Sequence, residues 1–308
     1  MSRAASARRG EHDPNVLRLG GQAYRVVNNT VEKLLEQRSG QLLRLRDNKR
    51  CAVRLGGRSL RMELLALRRG LRAGGDLPQV ISSGRDRALG HFLVTSWIGD
   101  GPNAEEHAEM EFGSNEIVPA ELIYERFVPL LRSLQRLHET AQIVHGDISL
   151  RNLVLVSGKR YALVDYGFAF PTSRTTRRSL DRGTPGFAPP EQWYQRGAID
   201  SRADQFAASV AAYKLLTGNF PYERLGGMQH DITHRPDLPS ASNPTVWPAL
   251  DEVIARGLSL DREARFPTTR EWLRQWQAAA IQKARWSMRA AMKTWWQRTM
   301  VRFRRSPT

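Results

Sequence analysis

The sequence lacks several features that would assign it to common classes of protein. Its single cysteine, Cys51, cannot form a disulfide within the chain, so nothing indicates stabilisation by an oxidising compartment. No apolar run approaches the ~18 residues that a membrane-spanning helix needs, and the N-terminus has no apolar core typical of a secretory signal. The motifs of a P-loop, a zinc site and a nucleophile elbow are absent as well. We therefore expect a cytoplasmic protein whose chemistry depends on other motifs.

Lysines and acidic residues are scarce, and the positive charge is unevenly distributed. The 308 residues include 47 Lys and Arg against 31 Asp and Glu, a formal net charge of +16, and six of these cations are lysines. From Gln277 to the end there are eight basic residues and no acidic ones, which is half of the net charge. Residues 1–24 are polar and basic without periodicity, and we expect them to be disordered.

Hydrophobic periodicity divides the remaining chain into a small strand-rich half and a larger helical half. Residues 41–55 alternate around Asp47-Asn48, which predicts a β-hairpin. Apolar residues at helical spacing predict a helix that ends at Gly74-Gly75. A buried strand, a long amphipathic helix and a second hairpin are predicted at 91–98, 119–141 and 153–167. Beyond Glu191 the pattern is mostly helical, so the predicted fold class is α+β.

Five sequence motifs occur in a defined order in the second half. They are HGDISLRN at 145–152, DYG at 165–167, GTPGFAPPE at 183–191, DQFAASVAAYKLLTGNFPY at 204–222 and LSLDREARF at 258–266. Together they resemble the catalytic loop, the metal motif, the A-P-E segment, the anchoring helix of the large lobe and the buried arginine of the protein kinase family. This resemblance implies a bilobal fold over roughly 25–276, with a β-rich N-lobe at about 25–98 and a helical C-lobe at about 99–276.

The resemblance also implies chemical roles for the motif residues. Asp147 would accept the hydrogen bond of the substrate hydroxyl and orient its oxygen for in-line attack. Asn152 and Asp165 would provide oxygen ligands for Mg²⁺, or Mn²⁺ in its place, on the phosphates of ATP. Thr184 matches the threonine with which serine/threonine-specific members contact the catalytic aspartate, which favours Ser or Thr of a protein substrate as the acceptor. Structural roles are implied for His145, Gly167, Glu191, Asp204 and Arg265, the last as the partner of Glu191.

The strand-rich half departs from the family pattern. The sequence CAVR places Arg54 where the family has a lysine, and Glu63 on the next helix is its expected partner. Arginine keeps the positive charge and can hold phosphate and carboxylate in a planar fork. The glycine-rich loop is reduced to LLEQRSGQLL, in which Gly40 is the only glycine. Thr95 and Trp97 complete the predicted nucleotide-binding residues.

The catalytic loop departs from the family pattern at two positions. Gly146 replaces the arginine that usually pairs with a phosphorylated activation loop, so we expect activity to depend little on such phosphorylation. Ser149 replaces the lysine that helps to neutralise the transferred phosphate, and Arg151 is the candidate to supply that charge instead.

The segment 277–308 is predicted to form a basic amphipathic helix. Its apolar residues cluster on one side of a helical wheel: Ile281, Ala284, Met288, Met292, Trp295, Trp296 and Phe303. Tryptophan and arginine on such a helix favour an anionic membrane surface, here the inner face of a membrane, and the groove of a partner protein is equally compatible. Packing against the C-lobe is a third interpretation, whereas the apolar face argues against nucleic acid.

Three functions are consistent with these features. The first is an ATP- and Mg²⁺-dependent Ser/Thr protein kinase. The second is a pseudokinase scaffold, favoured by Arg54, Ser149 and the reduced glycine loop and opposed by the intact Asp147, Asn152 and Asp165. The third is a small-molecule kinase of the aminoglycoside-kinase type, whose loops often read H-G-D, although GTPGFAPPE and the helix at Asp204 count against it.

Overall fold

An antiparallel sheet forms the first part of the chain in the computed structural model. The model describes residues 9–10, 13–56, 59–99, 102–113, 117–172, 183–193, 199–222, 224–225, 229–230 and 235–283. The seven strands of the sheet are β1 (Arg9–Gly10), β2 (Asp13–Leu19), β3 (Gln22–Val27), β4 (Ser39–Arg44), β5 (Lys49–Gly56), β6 (Val80–Asp86) and β7 (Gly90–Ser96). They are ordered β1-β2-β3-β4-β5-β7-β6, and two helices accompany them, α1 (Val31–Gln37) and α2 (Ser59–Arg72).

Residues 9–10 and 13–24, at the edge of this sheet, contradict the prediction that residues 1–24 are disordered, whereas 1–8 and 11–12 lie outside the described residues. Residues 13–24 form β2 and the start of β3, joined at Gly20-Gly21, whose φ angles of 55° and 76° suit a tight hairpin turn. Leu17, Leu19 and Tyr24 are buried in the apolar cluster on one face of the sheet. The apolar residues alternate on both sides of the glycine pair, a pattern that predicts a hairpin in spite of the surrounding polar residues.

Helix α1 occupies the position where a reduced glycine loop was predicted. Thr30 caps it by accepting a hydrogen bond from the Lys33 N–H at 3.3 Å. Val31 and Leu34 of this helix are buried against the sheet. A Cβ added to Gly40 would lie 2.7 Å from Leu34 Cδ1, so Gly40 makes room for the helix. The chain between β3 and β4 is therefore a packed helix rather than a loop.

The second part of the chain is mostly helical. Its helices are α3 (Ala104–Phe112), α4 (Ala120–Gln135), α5 (Pro190–Trp193), α6 (Arg202–Thr217), α7 (Pro239–Ser242), α8 (Pro248–Gly257) and α9 (269–283). Its short strands are β8 (Ile143–Val144), β9 (Leu153–Val156), β10 (Arg160–Leu163), β11 (Phe170–Pro171), β12 (Arg224–Leu225) and β13 (Gln229–His230). A π-helical turn at Arg136–Thr140 continues α4, and 3-10 turns lie at Leu150–Asn152 and Arg262–Ala264. A small sheet followed by a larger helical part agrees with the predicted bilobal α+β fold.

The start of the predicted C-terminal segment packs on the helical part. Helix α9 passes position 276 without a break. Trp276 is buried and stacks on Phe127, with ring centroids 5.8 Å apart, and the Trp247 indole donates to Ala279 O at 2.7 Å. Packing on the C-lobe therefore holds at Ala279, whereas Ile281 is 63% exposed. Residues 284–308, which carry most of the predicted amphipathic helix, lie outside the described residues. Within the described ranges, no helix has the length and apolarity needed to cross a bilayer.

Candidate active site

A cavity of about 330 Å³ lies between the sheet and the helical part. Its volume is within the range of about 300–1,000 Å³ that is usual for small-molecule sites. All five predicted nucleotide-binding residues line it: Gly40, Arg54, Glu63, Thr95 and Trp97. Ala52 and Leu93 of the sheet and Val154 of β9 add apolar walls, and Asp165 adds a carboxylate. An apolar cavity with a few charged groups at one end suits a ligand with a flat ring and an anionic tail.

Arg54 joins two carboxylates in this cavity. Its Nε lies 3.5 Å from Glu63 Oε2, as predicted, and its Nη1 also contacts Asp165 Oδ1. Gly167 permits this arrangement because an added Cβ would lie 3.0 Å from Arg54 Nη2. Asp165 has a φ of 61°, a left-handed conformation that costs about 1–3 kcal/mol in a non-glycine residue and is concentrated at functional sites. Arg54 thus holds the predicted metal-binding carboxylate.

Glu63 is buried behind this pair, with 4% of its surface exposed. Burial raises the pKa of its carboxyl to about 7, although Arg54 lowers that pKa, and the charge of Asp165 raises it further. Its Oε2 has no hydrogen-bond partner among the described residues. Glu63 is therefore poised to gain or lose a proton near neutral pH.

The pKa of Glu63 predicts a pH-dependent effect of Glu63→Gln on stability. Because the folded-state pKa is above the ordinary 4.5, this group stabilises the fold most below pH 4.5, and that stabilisation is lost as pH rises through about 7. A rise from 4.5 to about 7 corresponds to about 3 kcal/mol. The free energy of unfolding of Glu63→Gln should therefore increase by about this amount, relative to wild type, between about pH 5 and about pH 8.5.

Urea denaturation of both proteins at the two pH values measures this difference. Glu36→Gln, at an exposed position on α1, is the matched control. An equal pH dependence in both variants would mean that the burial of Glu63 is not the cause.

Asp147 accepts hydrogen bonds on both carboxylate oxygens. Thr184 donates its backbone N–H and its hydroxyl to Asp147 Oδ1, each at 2.8 Å. Asn152 Nδ2 donates to Asp147 Oδ2 at 3.1 Å and to the Asp147 carbonyl at 2.9 Å. The predicted contact between Thr184 and the aspartate is therefore present. Because the amide nitrogen of Asn152 is directed at Asp147, its amide oxygen is the atom that could ligate a cation.

A buried carboxylate on α6 holds the catalytic loop from behind. Asp204 accepts hydrogen bonds from the backbone N–H groups of His145 at 2.7 Å and Gly146 at 2.9 Å, and it contacts His138 Nε2 at 2.7 Å. Burial alone would raise the pKa of Asp204, but the hydrogen bond with His138, the electrostatic interaction with His138 and His145 and the N–H of Gly146 hold that pKa below its ordinary value. His138 Nδ1 also lies 2.7 Å from Thr269 Oγ1, so this histidine connects the loop anchor to α9.

The two altered positions of the loop and the candidate compensating residue Arg151 have different surroundings. Gly146 has a φ of 79°, and a Cβ there would lie 3.2 Å from both Phe168 O and the Phe170 ring, which favours glycine. Ser149 is buried before the 3-10 turn. The side chain of Arg151 is 78% exposed, with its Nε 3.7 Å from a carboxylate oxygen of Glu105. Neither Ser149 nor Arg151 lines the cavity, so charge compensation by Arg151 stays a prediction.

A buried ion pair supports the segment that carries Thr184. Arg265 donates to both carboxylate oxygens of Glu191, at 2.6 and 2.9 Å, as predicted. It also donates to the carbonyls of Ser259 at 2.8 Å and Arg202 at 3.0 Å. Arg265 is 1% exposed, so its charge is compensated almost entirely by these partners.

Comparison with known proteins identifies the family. The family model described as the protein kinase domain matches residues 103–296, which is more than half of the chain. The chain belongs to the protein kinase family. The chain is 34% identical to the serine/threonine-protein kinase Pkn1 of Myxococcus xanthus over 167 residues, which are 51% of this chain and 24% of Pkn1. It is 35% identical to PknE of Mycobacterium tuberculosis over 133 residues, 42% of this chain and 23% of PknE.

The alignments with these relatives span about a quarter of the relatives' length. Among solved structures, the kinase PK-1 of Cydia pomonella granulovirus has a TM-score of 0.60 to this chain, with 17% identity, and the match covers 82% of this chain and 93% of the viral one. At this identity the likeness concerns the fold, which is the bilobal fold of protein kinases.

Two contacts of the kinase site involve residues that the motifs did not single out. Gln192, directly after Glu191, donates through Nε2 to the carbonyl of Gly146 at 2.8 Å. His138 precedes the catalytic loop by seven residues and reaches Asp204. A histidine in an amphipathic helix and a glutamine after a motif are common features of sequences. Their position relative to the motifs is the only signal that could have identified them.

Proposed function

We propose that this chain is an ATP-dependent protein kinase that transfers a phosphoryl group to Ser or Thr hydroxyls of protein substrates. The observation that carries this proposal is the arrangement of Thr184 and Asn152 around Asp147. Each carboxylate oxygen of Asp147 has a hydrogen-bond donor, which fixes the plane of the carboxylate. A fixed aspartate at this place is what an in-line transfer to a hydroxyl requires.

Asp147 orients the acceptor and takes up its proton. A Ser or Thr hydroxyl of the substrate donates its hydrogen bond to the carboxylate, and its oxygen then points at the phosphoryl group. Thr184 keeps the carboxylate in that orientation by donating two hydrogen bonds. Arg54, which lines the cavity, supplies positive charge for the phosphate groups.

The oxygen atoms of Asn152 and Asp165 fit a bound Mg²⁺. Asp165 lines the cavity with a partly exposed carboxylate, and Asn152 has its amide oxygen available. Among the described residues there is no group of three or more His, Cys, Asp or Glu that could hold a metal ion. Two protein oxygens with phosphates and water suit Mg²⁺, which is reluctant to lose its waters. When bound, this ion would neutralise charge on the phosphates.

A second candidate function is nucleotide binding without transfer, as in a pseudokinase. The contact between Arg54 and Asp165 favours it, because this arginine lies on the carboxylate that a metal would need. Arg54 and Asp165 would have to separate before the carboxylate of Asp165 could hold Mg²⁺. The aminoglycoside-kinase alternative has less support, because the family match is to the protein kinase domain.

Radiolabel transfer from ATP distinguishes the two candidates. We expect the purified chain with γ-labelled ATP and Mg²⁺ to label itself or a generic protein substrate on Ser or Thr, and EDTA to abolish the label. Binding of ATP should be measured in parallel by calorimetry. Binding with no metal-dependent label, also with Mn²⁺, would support the pseudokinase and contradict the kinase proposal.

A further inference from the structure

Ser39 lies directly opposite Arg54 on the cavity side of the sheet. In the β4–β5 pair, the register places Ser39 opposite Arg54, Gly40 opposite Val53 and Gln41 opposite Ala52. Directly opposed residues of an antiparallel pair point to the same face, with Cβ atoms about 4.5–5.5 Å apart. Both Ser39 and Arg54 line the cavity, and Ser39 is exposed. The hydroxyl and the guanidinium therefore share one end of the cavity.

Gly40 also lines the cavity with its backbone, but its missing side chain would point to the opposite face of the strand from that of Ser39. Its partner Val53 is buried in the apolar cluster of the sheet, and its missing side chain leaves the space that Leu34 of α1 fills. Gly40 is thus explained by helix packing, and the segment before it is a helix whose backbone is hydrogen-bonded within itself. The described connection between β3 and β4 therefore has no glycine loop to wrap around an anion.

We infer that Ser39 is a phosphate-positioning residue, which together with Arg54 holds the phosphates of the nucleotide by side-chain hydrogen bonds. This inference rests on the proposed function. A serine hydroxyl donates one hydrogen bond, and a guanidinium presents a planar fork of donors that matches phosphate oxygens. Hydrogen bonds to an ionised acceptor are stronger than those between neutral groups. The Ser39 hydroxyl and the Arg54 guanidinium can therefore take the place of the backbone N–H groups that a glycine loop would offer to the phosphates. Leu34 fixes α1 over Gly40, and this packing sets the position of the neighbouring Ser39.

A series of nucleotides separates contacts to the phosphates from contacts to the base. Calorimetry should measure the affinity of adenosine, Mg·ADP and Mg·ATP for wild type, Ser39→Ala and Ser39→Gly. We expect both variants to bind the two phosphorylated nucleotides about five- to tenfold more weakly and to bind adenosine as wild type does. Gln41→Ala is the matched control, because Gln41 is on the same strand and face but opposite Ala52. It should change the affinities for adenosine and ATP by the same factor.

Ser39→Gly is the decisive variant. If backbone groups held the phosphates, glycine at this position would preserve or improve ATP affinity, and that result would overturn the inference. An equal loss of affinity for adenosine and ATP would overturn the inference as well, because the substitution would then have disturbed the strand rather than removed a contact with the phosphates. Melting temperatures without ligand verify that each variant is folded. If wild type binds none of the nucleotides, both this inference and the proposed function fail, whereas unchanged Ser39 variants of a wild type that binds ATP reject the inference alone.

Discussion

Asp147→Asn is expected to lower the rate of phosphoryl transfer by about 10²–10⁴-fold, the usual contribution of a positioned general base. Asparagine keeps the shape of the side chain and can still accept from Thr184, but its neutral amide cannot take the proton of the substrate hydroxyl. Affinity for ATP should change little, since the predicted nucleotide contacts lie on other residues. Single-turnover labelling measures the rate, and calorimetry measures the affinity.

Glu105→Gln provides the matched control for this experiment. Glu105 is an acid near the catalytic loop, where it pairs with Lys214 at 2.9 Å and lies 3.7 Å from Arg151. Its substitution should leave transfer within a few-fold of wild type, because exposed pairs contribute about 0–1 kcal/mol. A loss of less than tenfold in Asp147→Asn would contradict the assigned role of Asp147.

Arg265→Met is expected to lower the free energy of unfolding by about 3–5 kcal/mol, the usual effect of removing one partner of a buried ion pair. The substitution leaves Glu191 buried without its bidentate partner and removes the donor to two backbone carbonyls. Methionine is close in length, so the effect reports mainly on charge and hydrogen bonding. Urea denaturation measures the loss.

The double variant Glu191→Leu/Arg265→Met tests the cause of that loss. Removing both charges leaves no unpaired one, so the double variant should recover part of the stability. Arg262→Met, at a partly exposed position where Arg262 pairs with Glu263 at 2.9 Å, should change stability by about 0–1 kcal/mol. A double variant that is less stable than Arg265→Met would show that the ion pair is not the source of the effect.

The predictions from motifs succeeded where the interacting residues are close together in the sequence. Asp147 and Asn152 are five residues apart and meet through a single 3-10 turn. The two predicted hairpins are present because alternating apolar residues and a turn specify them locally. The contact of Thr184 with Asp147 and the pairing of Glu191 with Arg265 could be predicted only because the order of several motifs resembles the kinase pattern.

The incorrect predictions concern segments whose composition does not indicate that they pack against the rest of the protein. Residues 13–24 are polar enough to suggest disorder, yet Leu17, Leu19 and Tyr24 point to one face of the hairpin and are buried in the apolar cluster of the sheet. The reduced glycine loop was predicted from its shortage of glycines. The residues before Gly40 instead form α1, because Leu34 packs into the space that the missing side chain of Gly40 leaves. Burial against a distant surface decided the structure in both segments.

The sequence by itself determined the family resemblance, the α+β class and the identities of the chemical groups, because motif order and periodicity are properties of the chain alone. Only the tertiary structure decided which groups meet. Arg54 and Asp165 are 111 residues apart and come into contact through the closure of the sheet on the helical part. Spacing predicts the face on which a side chain lies, but not what packs on that face. For this reason only the tertiary structure revealed four features: the second partner of Arg54, the burial of Glu63, the packing of α1 over Gly40 and the packing of α9.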